Sequence, residues 1–287
     1  MSTGEILVRE ASPFDTRDML EITRNVWDGN DYVPYVWDRW LGDEAGHLTV
    51  ALCHGIVYGL MHIEVQADGT AWAEGIRVRE DLQSRGIGRA LLADGIEWAR
   101  RAGYPCIRLS THGANPASNR LAEKSGLTRV AVMKVLRCEP GGRRQERSRQ
   151  AFAADIDELW NVVSRDGAGT GDLYTEGWTA YTLDRARLAL LIACHGVLVS
   201  PAGPSKGTAI ATCRPGRPVL RLGFLSGDID AQLGLLQELV TRATEAGMTR
   251  IQAVLDVLPE SREALASTGF QNPDDDEMFV YELSLPD

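Results

Sequence analysis

The sequence predicts an α/β fold made of two tandem mixed-sheet domains, the second a degenerate copy of the first. Three observations carry that expectation. The chain has 287 residues, roughly twice the common domain size of about 100–150. A nearly apolar-free stretch, Glu139 to Arg149 (EPGGRRQERSR), opens on Pro-Gly-Gly and reads as a linker. The two halves it separates also resemble each other at their ends. Arg101-Ala-Gly103 followed by Cys106-Ile-Arg108 has a counterpart in Glu245-Ala-Gly247 followed by Arg250-Ile-Gln252, and Leu121 to Gly126 has one in Leu265 to Gly269. The expected domains are therefore 1–138 and 150–287, joined by the linker 139–149.

Element by element, Ile6 to Arg9 reads as a short strand, and Phe14 to Trp27 as a helix, from Met19, Leu20, Ile22 and Val26 at helical spacing. Leu48 to Cys53, Val57 to Val65 and Thr70 to Val78 are β-branched and apolar runs punctuated by Gly, Asp and His, which predicts a three-strand meander. Ile87 to Ala102 places Leu91, Leu92, Ile96, Trp98 and Ala99 on one stripe, an amphipathic helix. Cys106 to Ser110 is a strand, Pro116 to Ser125 a helix capped by Gly126, and Leu127 to Arg137 the closing strand of the first half. The second half ends on Gly269-Phe270 and a strand from Phe279 to Leu285.

Composition excludes several classes. With 44% apolar and 24% charged residues the chain is neither a disordered polymer nor a collagen. A net charge of −10 repels phosphate backbones, so no nucleic-acid partner is expected. The longest apolar stretch, Leu188 to Val199, is interrupted by Cys194, His195 and Gly196 and falls short of the roughly 20 residues of a membrane span. The start MSTGEILVREAS lacks a secretory pattern, and five widely spaced cysteines form no CxxC pair, so a reducing cytoplasm is expected and no metal site. The acidic run Asp274 to Glu277 reads as a solvated turn.

The stretch that carries chemistry runs from Ile76, Arg77 and Val78 through Gln83-Ser84-Arg85-Gly86-Ile87-Gly88-Arg89, a strand passing through a glycine-rich turn into the strong helix. Glycines admit close backbone approach, convergent N–H groups and the helix dipole favour an anion, and Arg85 and Arg89 add charge-assisted donors. Neither the P-loop pattern nor the GxGxxG dinucleotide pattern is met, which implies a different phosphate-bearing ligand.

Read as Gln-x-x-Gly-x-Gly after a strand ending in Val, this run resembles the acetyl-CoA signature of the GCN5-related N-acetyltransferase (GNAT) superfamily. Asn115-x-x-Ser118-x-x-Leu121-Ala-Glu-Lys124-x-Gly126-Leu127 looks like that superfamily's Asn-x-x-Ala-x-x-Leu-Tyr-Glu-Lys-x-Gly-Phe element. The resemblance implies that the amides of Gln83 to Arg89 hold the pyrophosphate of acetyl-CoA. It also implies that the backbone of Ile76 to Val78, with Asn115 and Ser118 on the second element, holds the pantetheine arm. One departure concerns the general acid, because the family's frequent Tyr would fall at Ala122. His112 is a candidate substitute, though a loop histidine is more often a surface residue, and a thiolate can also leave with water or no acid.

Strand alternation puts Trp72, Glu74, Ile76 and Val78 on one face, so Glu74 is expected among apolar side chains with a raised pKa, suited to accept a proton from an ammonium. It also resembles the base of many family members; the alternative is a salt bridge with Arg77. Between Trp27 and Trp40, five aromatics crowd fourteen residues. The Trp residues are expected mainly as core, whereas Tyr32, Tyr35 and Asp31 are the candidates for binding an amine acceptor. This stretch, with Glu-Gly-Ile-Arg-Val and a second half, is similar to histidine N-acetyltransferase-like proteins.

In the second half, the counterpart of the phosphate loop, Leu225 to Gly234, has lost its glycine pattern and carries Asp228 and Asp230, so no cofactor is expected there. The resulting expectation is an acetyl-CoA-dependent N-acetyltransferase acting on a small primary amine, an amino acid foremost, by direct attack in a ternary complex. The alternatives are a peptide or protein N-terminal acetyltransferase and a non-catalytic CoA-binding sensor.

Overall fold

The computed structural model describes residues 6–141, 148–166, 173–214 and 216–285. These carry eight α-helices and fourteen strands, a mixed α/β fold. The chain divides into two units that are not contiguous in sequence. One comprises Met1–Leu109, Pro116–Thr128 and Tyr281–Asp287, the other Ser110–Asn115 and Arg129–Val280.

In the first unit the order is β1 (Leu7–Glu10), α1 (Thr16–Thr23), α2 (Val33–Leu41), β2 (His47–Cys53), β3 (Ile56–Val65), β4 (Ala71–Val78), α3 (Ile87–Arg101), β5 (Cys106–His112) and α4 (Pro116–Lys124). Strands β1 to β4 pair antiparallel in sequence order, and β4 pairs parallel with β5. One sheet face buries Met19, Ile22, Val33, Trp37, Trp40 and Leu60 beneath α1 and α2. Methyl and thioether groups of Ile63 and Met61 press on Gly95 of α3, which puts these residues on the other face. Each such buried aliphatic side chain contributes on the order of 1.5–3 kcal/mol.

The expected helix over 14–27 ends at Thr23, because Trp27 and Asp28 take left-handed conformations, φ 49° and 55°, that no α-helix continues through. The far end of the first unit's sheet comes from the last residues of the chain. Glu282 pairs with Arg108 (Oε2 to Nε, 2.6 Å), its carbonyl accepts from Thr128 Oγ1, and the Leu285 amide donates to the Pro105 carbonyl at 2.8 Å. Glu282 belongs to the last strand, Glu277–Ser284, which is β14 below, and Leu285 follows it directly.

The second unit holds β6 (Thr128–Cys138, from residue 129), β7 (Arg149–Gln150), α5 (Ile156–Asp166), β8 (Leu173–Glu176), β9 (Thr179–Thr182), α6 (Arg185–Ala193), β10 (Val197–Val199), β11 (Gly207–Cys213), β12 (Val219–Gly227), α7 (Ile229–Glu245), β13 (Arg250–Leu255), α8 (Pro259–Ser267) and the start of β14 (Glu277–Ser284). The order β6-β13-β12-β11-β10-β7 repeats the meander and parallel step of the first unit in mirror sequence along its sheet. The expected closing strand 127–137 thus forms, but its residues from 129 onward group with the second unit. Of the expected linker, 142–147 lies outside the described residues, and Arg149 begins a strand.

A motif not singled out in the sequence repeats in both units. Arg9 and Asp15 form a two-pronged pair (2.8 and 2.7 Å), and so do Arg149 and Asp155 (2.7 and 2.7 Å). In each, the carboxylate also accepts the amide three residues before it, Ser12 or Phe152, at 2.8 Å. Bonds from the guanidinium hold both carboxyls below their ordinary pKa.

Candidate active site

Strand β4 is the backbone of the site. Its parallel ladder with β5 covers only Ala71, Ala73 and the residue between them, ending at Ala73↔Leu109, and β4 runs on to Val78. Just past that end the antiparallel register against β3 slips: His62 faces Glu74, but Leu60 faces Arg77. One β3 residue, Met61, thus opposes two on β4, Gly75 and Ile76, which is a β-bulge. Gly75 sits at φ +65°, and a Cβ there would come within 2.5 Å of the Trp40 ring, so only glycine fits.

The bulge corrects the expected face assignment. An extra residue reverses alternation, so Glu74 shares a face with Arg77, while Ile76 and Val78 turn to the α3 side, where their methyl groups lie next to Gly88. Nor is Glu74 surrounded by apolar groups alone. Its Oε1 is 3.1 Å from Nδ1 of buried His62, whose ring stacks on Trp40 at 4.6 Å. Nε2 of His62 lies 3.2 Å from Asp43 Oδ2 without hydrogen-bond alignment.

Arg77 does not turn to Glu74. Its Nε and Nη2 bind Asp31 at 2.7 and 3.0 Å, and its Nη1 donates to the Ile76 carbonyl. The Asp31 side chain is 1% exposed and also accepts the Val33 amide, two residues on at the start of α2. The guanidinium lies over Trp27 (4.7 Å) and Tyr32 (5.5 Å). The Tyr32 phenol has its pKa pushed up, first by burial and then by the Glu74 charge, while the Gly75 amide donates to its oxygen. Tyr32 is therefore a neutral phenol beside Glu74. Tyr35, by contrast, is 79% exposed, and Trp37 and Trp40 are core.

The turn after β4 leads into α3 through Gly86, the N-cap, at φ +90° and without a side-chain cap; Ser84 before it is also left-handed, φ 63°. Gln83 braces this turn by donating to the Val78 carbonyl at 3.3 Å. A Cβ at Gly88 would meet only ordinary contacts, the nearest at 3.4 Å with Leu121, so α4 packs on the α3 N-terminus. Arg85 and Arg89 are exposed at this end. Other arginines of the region are engaged elsewhere: Arg79 pairs with Asp81, and Arg100 and Arg101 pair with Glu97 in the last turn of α3, roughly 20 Å along the axis from its first turn.

Ser118 lies on α4, while Asn115 lies in the segment Ser110–Asn115 that groups with the second unit, its amide donating to the His112 carbonyl. His112 is tied down at both ring nitrogens: Nδ1 accepts the Ala114 amide, and Nε2 bonds Asp276 at 2.9 Å. That argues against the freely donating histidine considered above. Ala122 is fully buried, and α4 receives instead the hydroxyl of Tyr281, which donates to Asn119 and Glu123. Sequence reasoning missed His62, Asp43 and Gly75; a lone glycine inside a strand pattern was the one signal available for the last.

A model of the Acetyltransferase (GNAT) family matches residues 15–127. No curated protein matches the sequence. Among solved structures, a GCN5-related N-acetyltransferase from Sphaerobacter thermophilus superposes with a TM-score of 0.66 at 14% identity, over 98% of this chain and 96% of that one. A candidate acetyltransferase from Thermoplasma acidophilum gives 0.63 at 18% identity over 97% and 99%. A GCN5-related N-acetyltransferase from Kribbella flavida gives 0.54 at 14% identity over 99% and 72%. Residues 15–127 thus match the model of the Acetyltransferase (GNAT) family, within a chain whose fold is like that of these solved structures.

Proposed function

We propose that the chain is an acetyl-CoA-dependent N-acetyltransferase that moves the acetyl group to the primary amine of a small molecule, an amino acid foremost, by direct attack in a ternary complex. The observation that carries this reading is the arrangement along one strand and turn: the Glu74 carboxylate at a bulge, then a glycine-capped helix N-terminus with no side chain of its own on its first amides. Such an end suits a pyrophosphate, because unsatisfied N–H groups and the helix dipole converge there, and Arg85 and Arg89 supply exposed positive charge. Gln83 to Arg89 would hold that group. The backbone of Ile76, Arg77 and Val78, beyond the end of the β5 ladder, would hold the pantetheine arm with Asn115 and Ser118. Acetyl-CoA supplies an activated thioester and a thiolate that departs readily.

Glu74 takes the ammonium proton of the acceptor and frees the amine to attack. Tyr32, kept neutral by burial beside that carboxylate, can donate a hydrogen bond to the acceptor but not act as a base. Asp31 serves by fixing Arg77, and Tyr35 stands at the exposed rim. The second unit is proposed as a copy that has lost its ligand site, supported by the repeated Arg–Asp pair and by α7, whose first amides are capped by its own Asp228.

Acetyl transfer measured as CoA release across the amino acids, polyamines and short peptides tests the reading. Turnover with a free amino acid is expected, falling about 100-fold or more in E74Q. Turnover confined to peptides would favour the N-terminal acetyltransferase, and acetyl-CoA binding without any turnover would favour a sensor.

A further inference from the structure

Glu74 is one end of a file of three titratable side chains. His62, 2% exposed, lies between Glu74 (17%) and Asp43 (29%), with Nδ1 3.1 Å from the first and Nε2 3.2 Å from the second. Three features hold the ring. Trp40 stacks on its face, β3 fixes its Cα opposite Glu74, and Asp43 is anchored after α2 by a turn in which its Oδ1 accepts the Gly46 amide at 3.1 Å. Around the file, β4 adds Arg77, neutralised by Asp31, and the N-cap of α2 adds Tyr32, whose oxygen takes the Gly75 amide. The groups facing the imidazole are thus two carboxylates and an indole.

We infer that His62 is a positioning residue that, held by Trp40 and flanked by Asp43, orients the Glu74 carboxylate through Nδ1. The inference rests on the proposed function above. In the step, the acceptor N–H bond breaks and an O–H bond forms on Glu74. Nδ1–H of His62 donates to that carboxylate and aims it; the second ammonium proton goes to the departing CoA thiolate, and Glu74 gives up its own to water once product leaves, so one proton is released per acetyl transferred and no electrons change hands.

Two measurements on the full chain test this. Long-range ¹H–¹⁵N spectra of the histidine rings, recorded without any substrate, should show the Nδ1 signal of His62 changing in E74Q and the Nε2 signal changing in D43N. Unchanged signals would overturn the coupling whether or not the protein acetylates anything. With the best amino acid acceptor from the panel above, H62N and D43N should each lower kcat roughly tenfold or more and alter the acid limb of the pH profile. The KM for acetyl-CoA should stay within about twofold, and D43E should recover part of the rate. Equal losses in kcat and acetyl-CoA affinity with an unaltered profile would mean a packing role only. Coupled spectra with no turnover on any amine would overturn the functional reading, and with it the catalytic use of the file.

Discussion

The two units solve one problem, the orphan amides at the start of a long helix that follows a strand, in opposite ways. In the first, residues 79–86 separate β4 from α3, and the cap is Gly86, which offers no side chain. In the second, β12 runs to Gly227, and Asp228 alone leads into α7, its carboxylate accepting the Ala231 amide at 2.9 Å. One helix end carries no side-chain cap; the other is capped by its own aspartate. A second contrast lies at the end of the parallel ladders. Strand β12 also bulges past Leu222↔Ala253, but there β8 fills the opening: a Cβ at Gly223 would fall 1.8 Å from the Thr175 carbonyl oxygen, and Thr175 Oγ1 donates to Val254. The second unit thus carries a ladder and bulge like those of the first, while a short hairpin packs on its bulge and one aspartate caps its helix.

The largest expected effect comes from closing the open helix. Gly86→Val places a β-branched residue at φ +90° and a side chain over the first amides, and Gly88→Trp fills the gap beside Leu121. The double variant is expected to lose acetyl-CoA affinity about 100-fold or more by calorimetry. Retained affinity in a folded variant would break the contrast at its open end.

A smaller effect is expected at the feature the units share. Asp15→Asn and Asp155→Asn should each cost about 1–2 kcal/mol in urea unfolding, the partner arginines being partly exposed. Because both folded carboxyls sit below their ordinary pKa, they stabilise the protein above that value, and the contribution is lost as pH falls through the lowered one. The pH dependence below about 4 should flatten in both variants, and a slope as steep as that of the parent chain would remove these pairs from the acid transition.

The smallest effect sharpens the closed end. Asp228→Ala should cost about 0.5–1 kcal/mol as a lost N-cap. It should create no second acetyl-CoA site, since β8 still occupies the opening beside β12; a stoichiometry rising from one to two would show that the aspartate alone kept the ligand out.

Much of the fold was legible because most elements rest on local rules. The meander from His47 to Val78, the stripe of α3, and Gly126 as a left-handed C-cap at φ +90° all fall within a residue or two of expectation. The aromatic stretch was legible only in part: Trp37 and Trp40 are core, but nothing local announces that Trp27 leaves its helix to lie under Arg77. At the site, the glycine turn and the placement of Glu74 on β4 could be read, while the residues that share its face and its partners could not. His62 is twelve residues from Glu74, across a hairpin whose register depends on a single extra residue.

By itself, then, the sequence determined which segments become strands and helices, where the backbone needs glycine, and that one half has an anion-ready turn and the other an aspartate. These follow from side-chain period, φ and charge within a few residues. Only the tertiary structure decided that residues 281–285 complete the first unit while 129–138 serve the second, and that Arg77 belongs to Asp31 and Glu74 to His62. Strand partners are chosen by packing over long sequence separations, and a bulge changes which face every later side chain occupies, so neither is written in any local pattern.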